Sequence, residues 1–247
     1  GQGATTGSLV VTLEALKEMH LTPEDIQLIQ NDTKTCPDTG MAGASRSLYM
    51  DGNATIIAAN KLLAAMRKED GTLRTYDEMK AEGIETKYLG RYETNTTPGL
   101  CRLDPNTGIG DPTPAFTYCL NLAEVEVDTK TGKTTVLKFA CVDFVGRIGN
   151  IDAVNGQAYS GIMHGIGFAL KEDYADVKKH ANMFGAGTSY IKDVPDDIDL
   201  IHIDGAISDG PFGSSGASEA FQASGHCAVL NGIYNACGVR IHEIPAL

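Results

Sequence analysis

The apolar residues of the chain predict four long helices. Residues 8–20, 47–67, 152–170 and 219–237 have the apolar spacing or the composition of helices with a buried face. In the third of these segments, glycine recurs at positions 156, 161, 165 and 167. Each glycine lowers helix stability by about 1 kcal/mol relative to alanine. Their repetition therefore predicts that a neighbouring element approaches this helix closely.

Strand patterns occupy the segments between the helices. Residues 116–128 and 133–145 are rich in β-branched and aromatic residues, and they flank a turn at residues 129–132, so together they predict a hairpin. Apolar runs predict three further strands, at residues 26–32, 196–205 and 239–247.

Capping signals mark two short elements. Thr22, followed by proline and two acids, predicts a single helical turn. Thr75 and Glu78 predict a capping box on a short helix that stops at Gly83. Residues 95–114 are rich in Thr, Pro, Gly and Asp and predict a long connection. Because helices and strands alternate without a regular βαβ period or repeat, the sequence predicts a mixed α/β domain of the α+β class.

Composition and charge disfavour several classes of protein. The chain has 247 residues, 42% of them apolar, which is enough for a packed core in one large domain or two small ones. A net charge of −12 and a pI near 4.8 disfavour binding to nucleic acid or to an anionic membrane surface. No apolar run is long enough to span a bilayer. The six cysteines include no C-x-x-C pair, which disfavours zinc and iron–sulfur sites and predicts reduced thiols, as in the cytoplasm.

Three loops of small residues are the candidate ligand-binding segments, because each precedes a predicted helix. They are GQGATTG at residues 1–7, GMAGASR at residues 40–46 and DGPFGSSGASE at residues 209–219. A helix N-terminus has unpaired N–H groups and a partial positive charge, so each loop can bind an anion. Three such loops predict a ligand with several phosphate or oxo groups. We expect the loops to converge in space and Gln157 to point toward the same region.

The third loop ends in a single carboxylate, Glu219, within a nearly bare backbone. A solvated surface acid does not need such surroundings, so the pattern favours a bulky group close to the backbone and facing Glu219. An alternative is that Glu219 only interacts favourably with the helix dipole, worth about 0.3–1 kcal/mol. A serine of the loop could also act as a hydrolase nucleophile. The chain has no P-loop, G-x-S-x-G or H-E-x-x-H motif.

In order along the chain, these segments resemble the C-terminal molybdenum-cofactor-binding region of the molybdenum hydroxylases, the aldehyde oxidase/xanthine dehydrogenase family. Within that family, the likeness is greatest to bacterial aldehyde oxidoreductases. The matching segments are GQGATTG, AGASR (42–46), VEVDTKTGKTTV (125–136), GRIGNIDAVNGQAYSGIMHGIGFAL (146–170), DGPFGSSGASEAFQ (209–222) and NACGVRIHEIPA (235–246). The resemblance covers essentially the whole chain and implies a fold of two intertwined α/β subdomains.

The resemblance also implies roles for individual residues. Glu219 would be the active-site glutamate, a general base toward water at the molybdenum, in the oxidation of aldehydes or N-heterocycles with water as the oxygen source. The metal would be held by the pterin dithiolene and by no side chain. The implied cofactor-binding residues are Gly1, Gln2, Gly3, Ala4, Thr5, Ala42, Gly43, Ala44, Ser45, Arg46, Gln157, Gly216, Ala217 and Ser218. The chain departs from the family pattern at Ser218, where glycine is usual, and at His164, where a second glutamine is frequent.

The implied cofactor is molybdenum–molybdopterin in its cytosine dinucleotide form. Iron–sulfur clusters and any FAD would belong to other domains or subunits. The implied partners are the first half of the molybdenum-binding region, an iron–sulfur domain or subunit and a small-molecule substrate, in a homodimeric parent enzyme. We expect residues 1–247 to be the C-terminal domain of a longer chain rather than a subunit of a split enzyme, and to be inactive in isolation. Two alternatives stay open, a non-redox module for a phosphate-bearing ligand and a degenerate structural homologue.

Overall fold

The computed structural model describes residues 3–30, 32–94, 103–110 and 112–246. Its helices and strands, in chain order, are α1 (Ala4–Ala15), α2 (Ser47–Met66), α3 (Tyr76–Ala81), β1 (Tyr118–Val127), β2 (Thr134–Phe144), α4 (Ile151–Leu170), β3 (Asp197–His202), α5 (Ser218–Ala223) and α6 (Gly225–Cys237). Single 3-10 turns lie at Lys17–Met19, Pro23–Asp25, Ile191–Asp193 and Pro211–Gly213. Helices combined with one mixed sheet confirm the predicted α+β class. None of the helices in these ranges combines the length and apolar character that a membrane span requires.

The strands form one mixed sheet in the order β1-β2-β3. β1 and β2 pair antiparallel, with Tyr118 opposite Phe144, which confirms the predicted hairpin. β3 pairs parallel to β2, with Leu200 opposite Cys141. A parallel pair requires a crossover connection, and the segment that contains α4 supplies it.

The main core lies between the sheet and α4, α5 and α6, which together we call the sheet unit. Its buried residues are Val136, Phe139, Cys141, Val145, Ala158, Ile162, Ile166, Ala169, Phe221, Val229 and Ile233. The glycines of α4 allow this packing. A Cβ atom on Gly161 would lie 2.5 Å from Cβ of Phe221, and one on Gly165 would lie 2.8 Å from Cα of Gly225. The predicted close approach is therefore confirmed at these two positions and at Gly167, where a Cβ atom would lie 2.6 Å from Oγ of Ser189, whereas Gly156 faces open space.

A second, smaller core lies between α1 and α2, which with α3 form the helical unit. Its buried residues are Leu16, Ala59 and Leu63. The predicted capping box opens α3, since the N–H of Glu78 donates to Oγ1 of Thr75 and the N–H of Thr75 donates to Glu78. Within the described residues, this unit contains helices and no strand.

Two predicted strands are wrong. The described residues of 26–32 and of 239–247 form no strand, because no neighbouring strand offers them a ladder of hydrogen bonds. Ile29, for example, is 62% exposed. Among the described residues, the segment from 239 to 246 has one backbone hydrogen bond, from the N–H of Ala246 to the carbonyl of Ala169. Most of the connection predicted over residues 95–114 lies outside the described residues.

One predicted helix is divided. Residues 219–237 form α5 and α6, which meet at Ser224, where the backbone is not helical. Oγ of Ser224 accepts a hydrogen bond from Asn121 at 2.8 Å. Gly225 packs against Gly165 of α4. Contacts with distant residues therefore accompany the break, which falls at Ser224-Gly225, a dipeptide typical of turns.

Candidate functional site

A cleft of about 670 Å³ lies between the sheet unit and the helical unit. All three small-residue loops contribute to its walls, together with Gln157 of α4. The predicted site residues that line it are Gly3, Ala4, Ala42, Gly43, Ser45, Gln157, Gly216, Ala217, Ser218 and Glu219. The volume is typical of sites for small molecules and cofactors. The structure thus brings together loops that are far apart in sequence, as predicted.

The first loop enters α1 at the edge of the cleft. Gly3 precedes the helix with φ of 76°, in the left-handed region that favours glycine. A Cβ atom there would lie 3.3 Å from Cβ of Ala153, so the loop also lies close to α4. The side chain of Thr5 instead donates to Gln30 at 2.6 Å and does not line the cleft. Gly1 and Gln2 lie outside the described residues.

The second loop carries local backbone strain. Ala44 and Ser45 have φ of 52° and 53°, and such conformations cost about 1–3 kcal/mol each for residues other than glycine. This turn directs Ser45 into the cleft, while Ala44 is exposed and does not line it. The guanidinium of Arg46 donates to the carbonyl of Met41 at 2.8 Å and closes the loop on itself. Arg46 therefore does not line the cleft either.

The third loop lies directly against the second. A Cβ atom on Gly216 would lie 2.4 Å from the carbonyl oxygen of Ser45, so only glycine fits this approach. The backbone N–H of Glu219 donates to Oγ of Ser45 at 3.3 Å. At Gly216, the bulky neighbour predicted from the bare backbone is thus another loop of the same chain.

Three polar side chains meet beside the third loop. Oγ of Ser218 donates to Oε1 of Gln157 at 2.7 Å, which joins the start of α5 to α4. The next residue, Glu219, is exposed to the cleft. Its carboxylate accepts no hydrogen bond from any residue that the structure describes. It is therefore a suitable acceptor for a proton or for a donor group on a ligand.

The three helices that follow these loops begin without a side-chain cap. The residues before them are Gly3, Arg46 and Ala217, and none accepts a capping hydrogen bond from its helix. By contrast α4, which begins at the same cleft, is capped by Asn150, whose Oδ1 accepts from the N–H of Ala153 at 3.0 Å. Uncapped N-termini favour anionic groups. The starts of α1 and α2 can therefore bind phosphate or oxo groups at the edges of the cleft, whereas at the start of α5 the N–H of Glu219 already donates to Ser45.

Sequence reasoning missed three charged residues of the cleft, Arg147, Glu14 and Asp51. Arg147 is the one cationic side chain among the described lining residues, beside the carboxylates of Glu14, Asp51 and Glu219. Burial raises the pKa of Asp51, and the nearby charge of Arg46 opposes this rise. Arg147 belongs to the GRIGN segment of the family resemblance, but only the folded chain places that segment in the cleft. Within the described ranges, no group of three or more His, Cys, Asp or Glu side chains is arranged to hold a metal ion.

Comparison with protein families identifies the class of ligand. Residues 1–195 match the family model of the molybdopterin cofactor-binding domain. An aldehyde oxidoreductase of Megalodesulfovibrio gigas is 42% identical over 246 residues, which cover 100% of this chain and 27% of that protein. A xanthine dehydrogenase/oxidase of Felis catus is 28% identical over 176 residues, 70% of this chain and 13% of that protein.

Solved structures agree with these matches. The crystal structure of the aldehyde oxidoreductase from Desulfovibrio desulfuricans superposes with a TM-score of 0.93 at 45% sequence identity, and the alignment covers 100% of this chain and 27% of that chain. The chain thus spans about a quarter of the length of these aldehyde oxidoreductases. Proteins of this kind contain further domains beyond the matched part.

Proposed function

This chain belongs to the molybdopterin cofactor-binding domain family, and from that premise we propose that residues 1–247 form the C-terminal part of the molybdenum-binding region of a molybdenum hydroxylase. The observation that carries the proposal is that the three small-residue loops, each leading into a helix, meet beside Glu219 in one cleft, with the starts of α1 and α2 uncapped. In the parent enzyme this part would contribute cofactor contacts and the catalytic carboxylate.

The residues of the cleft fit a molybdopterin cofactor. Such a ligand carries phosphate and oxo groups, which suit the N–H groups at the starts of α1 and α2. Gly43 has room around it, since a Cβ atom there would come no closer than 4.0 Å to another atom. Arg147 adds a cationic side chain on the sheet unit. The several anion-binding positions favour the cytosine dinucleotide form, which has a second phosphate.

We assign general-base chemistry to Glu219. The molybdenum cofactor, when bound, supplies the two-electron oxidation. Conversion of an aldehyde to a carboxylic acid by water, R–CHO + H₂O → R–COOH + 2H⁺ + 2e⁻, releases protons that need an acceptor. The carboxylate of Glu219 faces the cleft without a partner among the described residues, so it can take such a proton. Gln157 would help to orient the ligand through its amide group.

We propose that the parent enzyme contains further domains or subunits outside this chain. Electrons would leave the molybdenum site through iron–sulfur clusters in those parts, and through any FAD that they bind. The first half of the molybdenum-binding region would close the cleft over the cofactor and supply most of the pocket for a small-molecule substrate, an aldehyde or an N-heterocycle. We also propose a homodimeric parent in the cytoplasm. Cell fractionation and the mass of the purified protein in solution test these two points.

Analysis of the full-length parent protein tests the cofactor assignment. We expect molybdenum and pterin in comparable amounts in the purified protein, and cytidine monophosphate after acid hydrolysis of the released cofactor. A non-redox module for a phosphate-bearing ligand, or a degenerate structural homologue, would contain no molybdenum after expression with an adequate molybdenum supply. That result would overturn the proposed function.

Substitution of Glu219 tests its role in the full-length enzyme. Glu219→Gln keeps the size of the side chain and removes the base, so kcat should fall by about 10²–10⁴-fold or more. Molybdenum content and melting temperature should stay near the wild-type values. Glu18→Gln is the matched control, since Glu18 is also an acid at the start of a helical turn but pairs with Arg67 in the helical unit. Normal turnover by Glu219→Gln would show that this carboxylate serves the helix dipole and not the reaction.

A further inference from the structure

Arg147 is an exposed cationic side chain on the wall of the cleft. It forms no ion pair and no side-chain hydrogen bond with any residue that the structure describes. The other arginines of the described ranges each have a partner, which is a backbone carbonyl for Arg46, a carboxylate for Arg67, Arg74 and Arg91, and an amide oxygen for Arg240. Within these ranges Arg147 is therefore the arginine whose guanidinium is available to a ligand, and it lines the cleft.

Phe212, an aromatic residue on the same cleft, has a strained backbone. Its φ is 54°, in the left-handed region that bulky residues rarely adopt. The neighbouring residues hold it there, because Pro211 is buried against Gly52 of α2 and Gly213 lies against Ala206. The strain does not serve to bury the ring in the core, since Phe212 is 39% exposed and lines the cleft. The fold therefore presents an aromatic ring to the cleft in a fixed position.

The backbones of Arg147 and Phe212 are joined at one junction. The N–H of Arg147 donates to the carbonyl of Gly213, the residue after Phe212, at 3.2 Å. Beside this bond, Gly146 and Ser214 form an isolated antiparallel bridge. A guanidinium and an aromatic ring are thus attached next to each other, and both side chains line the same cleft.

The charges of the cleft direct an anionic group toward Arg147. The helical unit contributes the carboxylates of Glu14 and Asp51 to the cleft, and Glu219 adds a third. These three carboxylates repel an anion, and Arg147 is the one cation among the described lining residues that attracts it. A guanidinium matches the geometry of a carboxylate or a phosphate, and the face of a phenylalanine ring suits another planar ring.

We propose that Arg147 and Phe212 form a subsite for a planar ring that carries an anionic group, with the ring on Phe212 and the anion on Arg147. This inference rests on the proposed function, because it assigns part of the same cleft to a ligand of that enzyme. Two molecules of the proposed reaction have the required chemistry. One is an aromatic substrate with a carboxylate, and the other is the nucleotide end of the cofactor, with its base and its phosphate.

Equilibrium dialysis of the full-length holoenzyme against benzoate, and against its neutral analogue benzamide, tests the subsite without turnover. If the subsite binds part of the substrate, benzoate binds more tightly than benzamide. Arg147→Gln should then raise the Kd of benzoate by about ten-fold or more, the size expected for the loss of a hydrogen bond between charged groups, and Arg147→Lys should recover part of the loss. Phe212→Leu, which keeps an apolar side chain without the ring, should weaken both probes by about three-fold.

If the nucleotide end of the cofactor occupies the subsite, benzoate does not compete for it in the holoenzyme. Arg147→Gln then lowers the amounts of molybdenum and of cytidine monophosphate per protein, at an unchanged melting temperature. Arg240→Gln is the matched control, because Arg240 also lies beside an aromatic ring, with its Cζ 3.9 Å from the ring centre of Tyr234, but does not line the cleft. This variant should bind benzoate and retain cofactor as the wild type does.

An Arg147→Gln variant with wild-type affinity for benzoate and wild-type cofactor content would overturn the proposal. Equal losses in Arg147→Gln and Arg240→Gln would overturn it as well, since they would show a general effect of charge. A failure of the proposed function is distinguishable from both outcomes, because the wild-type protein itself would then contain no molybdenum.

Discussion

The sheet unit and the helical unit meet at one cleft but are stabilised in different ways. The sheet unit has a continuous apolar core around Phe139, and its helices approach closely at glycines such as Gly161. The helical unit has a small core of Leu16, Ala59 and Leu63. Ion pairs between exposed or half-exposed side chains supplement this core, for example between Lys68 and Glu78. Because exposed ion pairs contribute little, typically about 0–1 kcal/mol, the helical unit should be the less stable of the two.

This difference bears on the cleft, because the two units contact each other beside it. A Cβ atom on Gly52 of α2 would lie 2.5 Å from Cγ of Pro211, and Asn53 donates to the carbonyl of Asp209 at 3.1 Å. A ligand that touches both units binds only when they are correctly placed, so it stabilises the folded state, and a tighter ligand stabilises it more. The helical unit should gain most from it. The carboxylate of Glu219 belongs to the sheet unit, which has the larger core.

The largest expected effect comes from truncation of each core. Phe139→Ala in the sheet unit should lower the free energy of unfolding by about 4 kcal/mol, because it removes a fully buried ring. Leu63→Ala in the helical unit should cost about 2 kcal/mol, at the low end for such changes, since its core is small and can relax. Hydrogen exchange read by mass spectrometry reports each unit separately. Phe139→Ala should accelerate exchange in β1, β2 and α4, and Leu63→Ala in α1 and α2 alone.

Exchange that accelerates in both units at once would contradict the predicted difference in their stability. If Leu63→Ala accelerated exchange throughout β2 and α4, the two units would unfold together and the helical unit would not be a separate, weaker element. Leu62→Ala, one position earlier on α2 and only partly buried, tests whether full burial decides the size of the effect, and it should cost less than Leu63→Ala.

A smaller effect with a change of sign is expected for two glycines of α4. Gly161→Ala should destabilise the sheet unit by about 2–3 kcal/mol, because the new methyl group would meet Phe221 at 2.5 Å. Gly156→Ala should stabilise it by about 0.5–1 kcal/mol, because the position is open and alanine is the better helix former. Urea unfolding followed by circular dichroism measures both shifts. Destabilisation by both variants would mean that the open position of Gly156 does not accept a methyl group either.

The elements that the sequence predicts correctly are those with local signals. The hairpin has β-rich runs on both sides of a turn, and the capping box of Thr75 and Glu78 satisfies its own backbone groups. Strands at 26–32 and 239–247 would require a partner strand, and the choice of partner depends on the whole fold. The break at Ser224 likewise coincides with a contact to Asn121, 103 positions away in the chain. Periodicity within a segment carries no information about such contacts.

The sequence was sufficient to predict which loops form the site, but not which of their side chains line it. Shared chemistry, a small-residue loop before a helix, was sufficient to group segments that meet in one cleft. The direction of individual side chains was not predictable, because it depends on backbone angles such as the positive φ at Ala44 and Ser45. Arg147 was missed for a related reason. It follows the sheet strand β2, and it joins the cleft only because the helical unit covers that end of the sheet.

The smallest expected effect is a difference in how the two units respond to pH. Burial raises the pKa of Asp143 in the sheet unit above 3.8, although His202, whose Nδ1 is 2.6 Å away, opposes the rise. In the helical unit the ammonium of Lys68, with help from the N–H of Thr75, lowers the pKa of Glu78 from 4.5 to about 2. When folding raises the pKa of a carboxyl group, its contribution to stability is lost as pH rises through the folded-state pKa. When folding lowers the pKa, the contribution is lost as pH falls through the folded-state pKa.

Two isosteric variants isolate these contributions. The stability advantage of the wild type over Asp143→Asn should shrink as pH rises from about 4 toward neutrality, because only the wild type must ionise a buried carboxyl group. The stability advantage of the wild type over Glu78→Gln should be complete above the ordinary pKa of 4.5 and should shrink as pH falls toward about 2. The reason is that protonation of Glu78 breaks its bonds to Lys68 and Thr75. Urea midpoints of the three proteins, measured by circular dichroism across this range, give the two slopes. Slopes of the same sign would mean that the carboxylates of the two units do not differ in the way that their burial and their partners require.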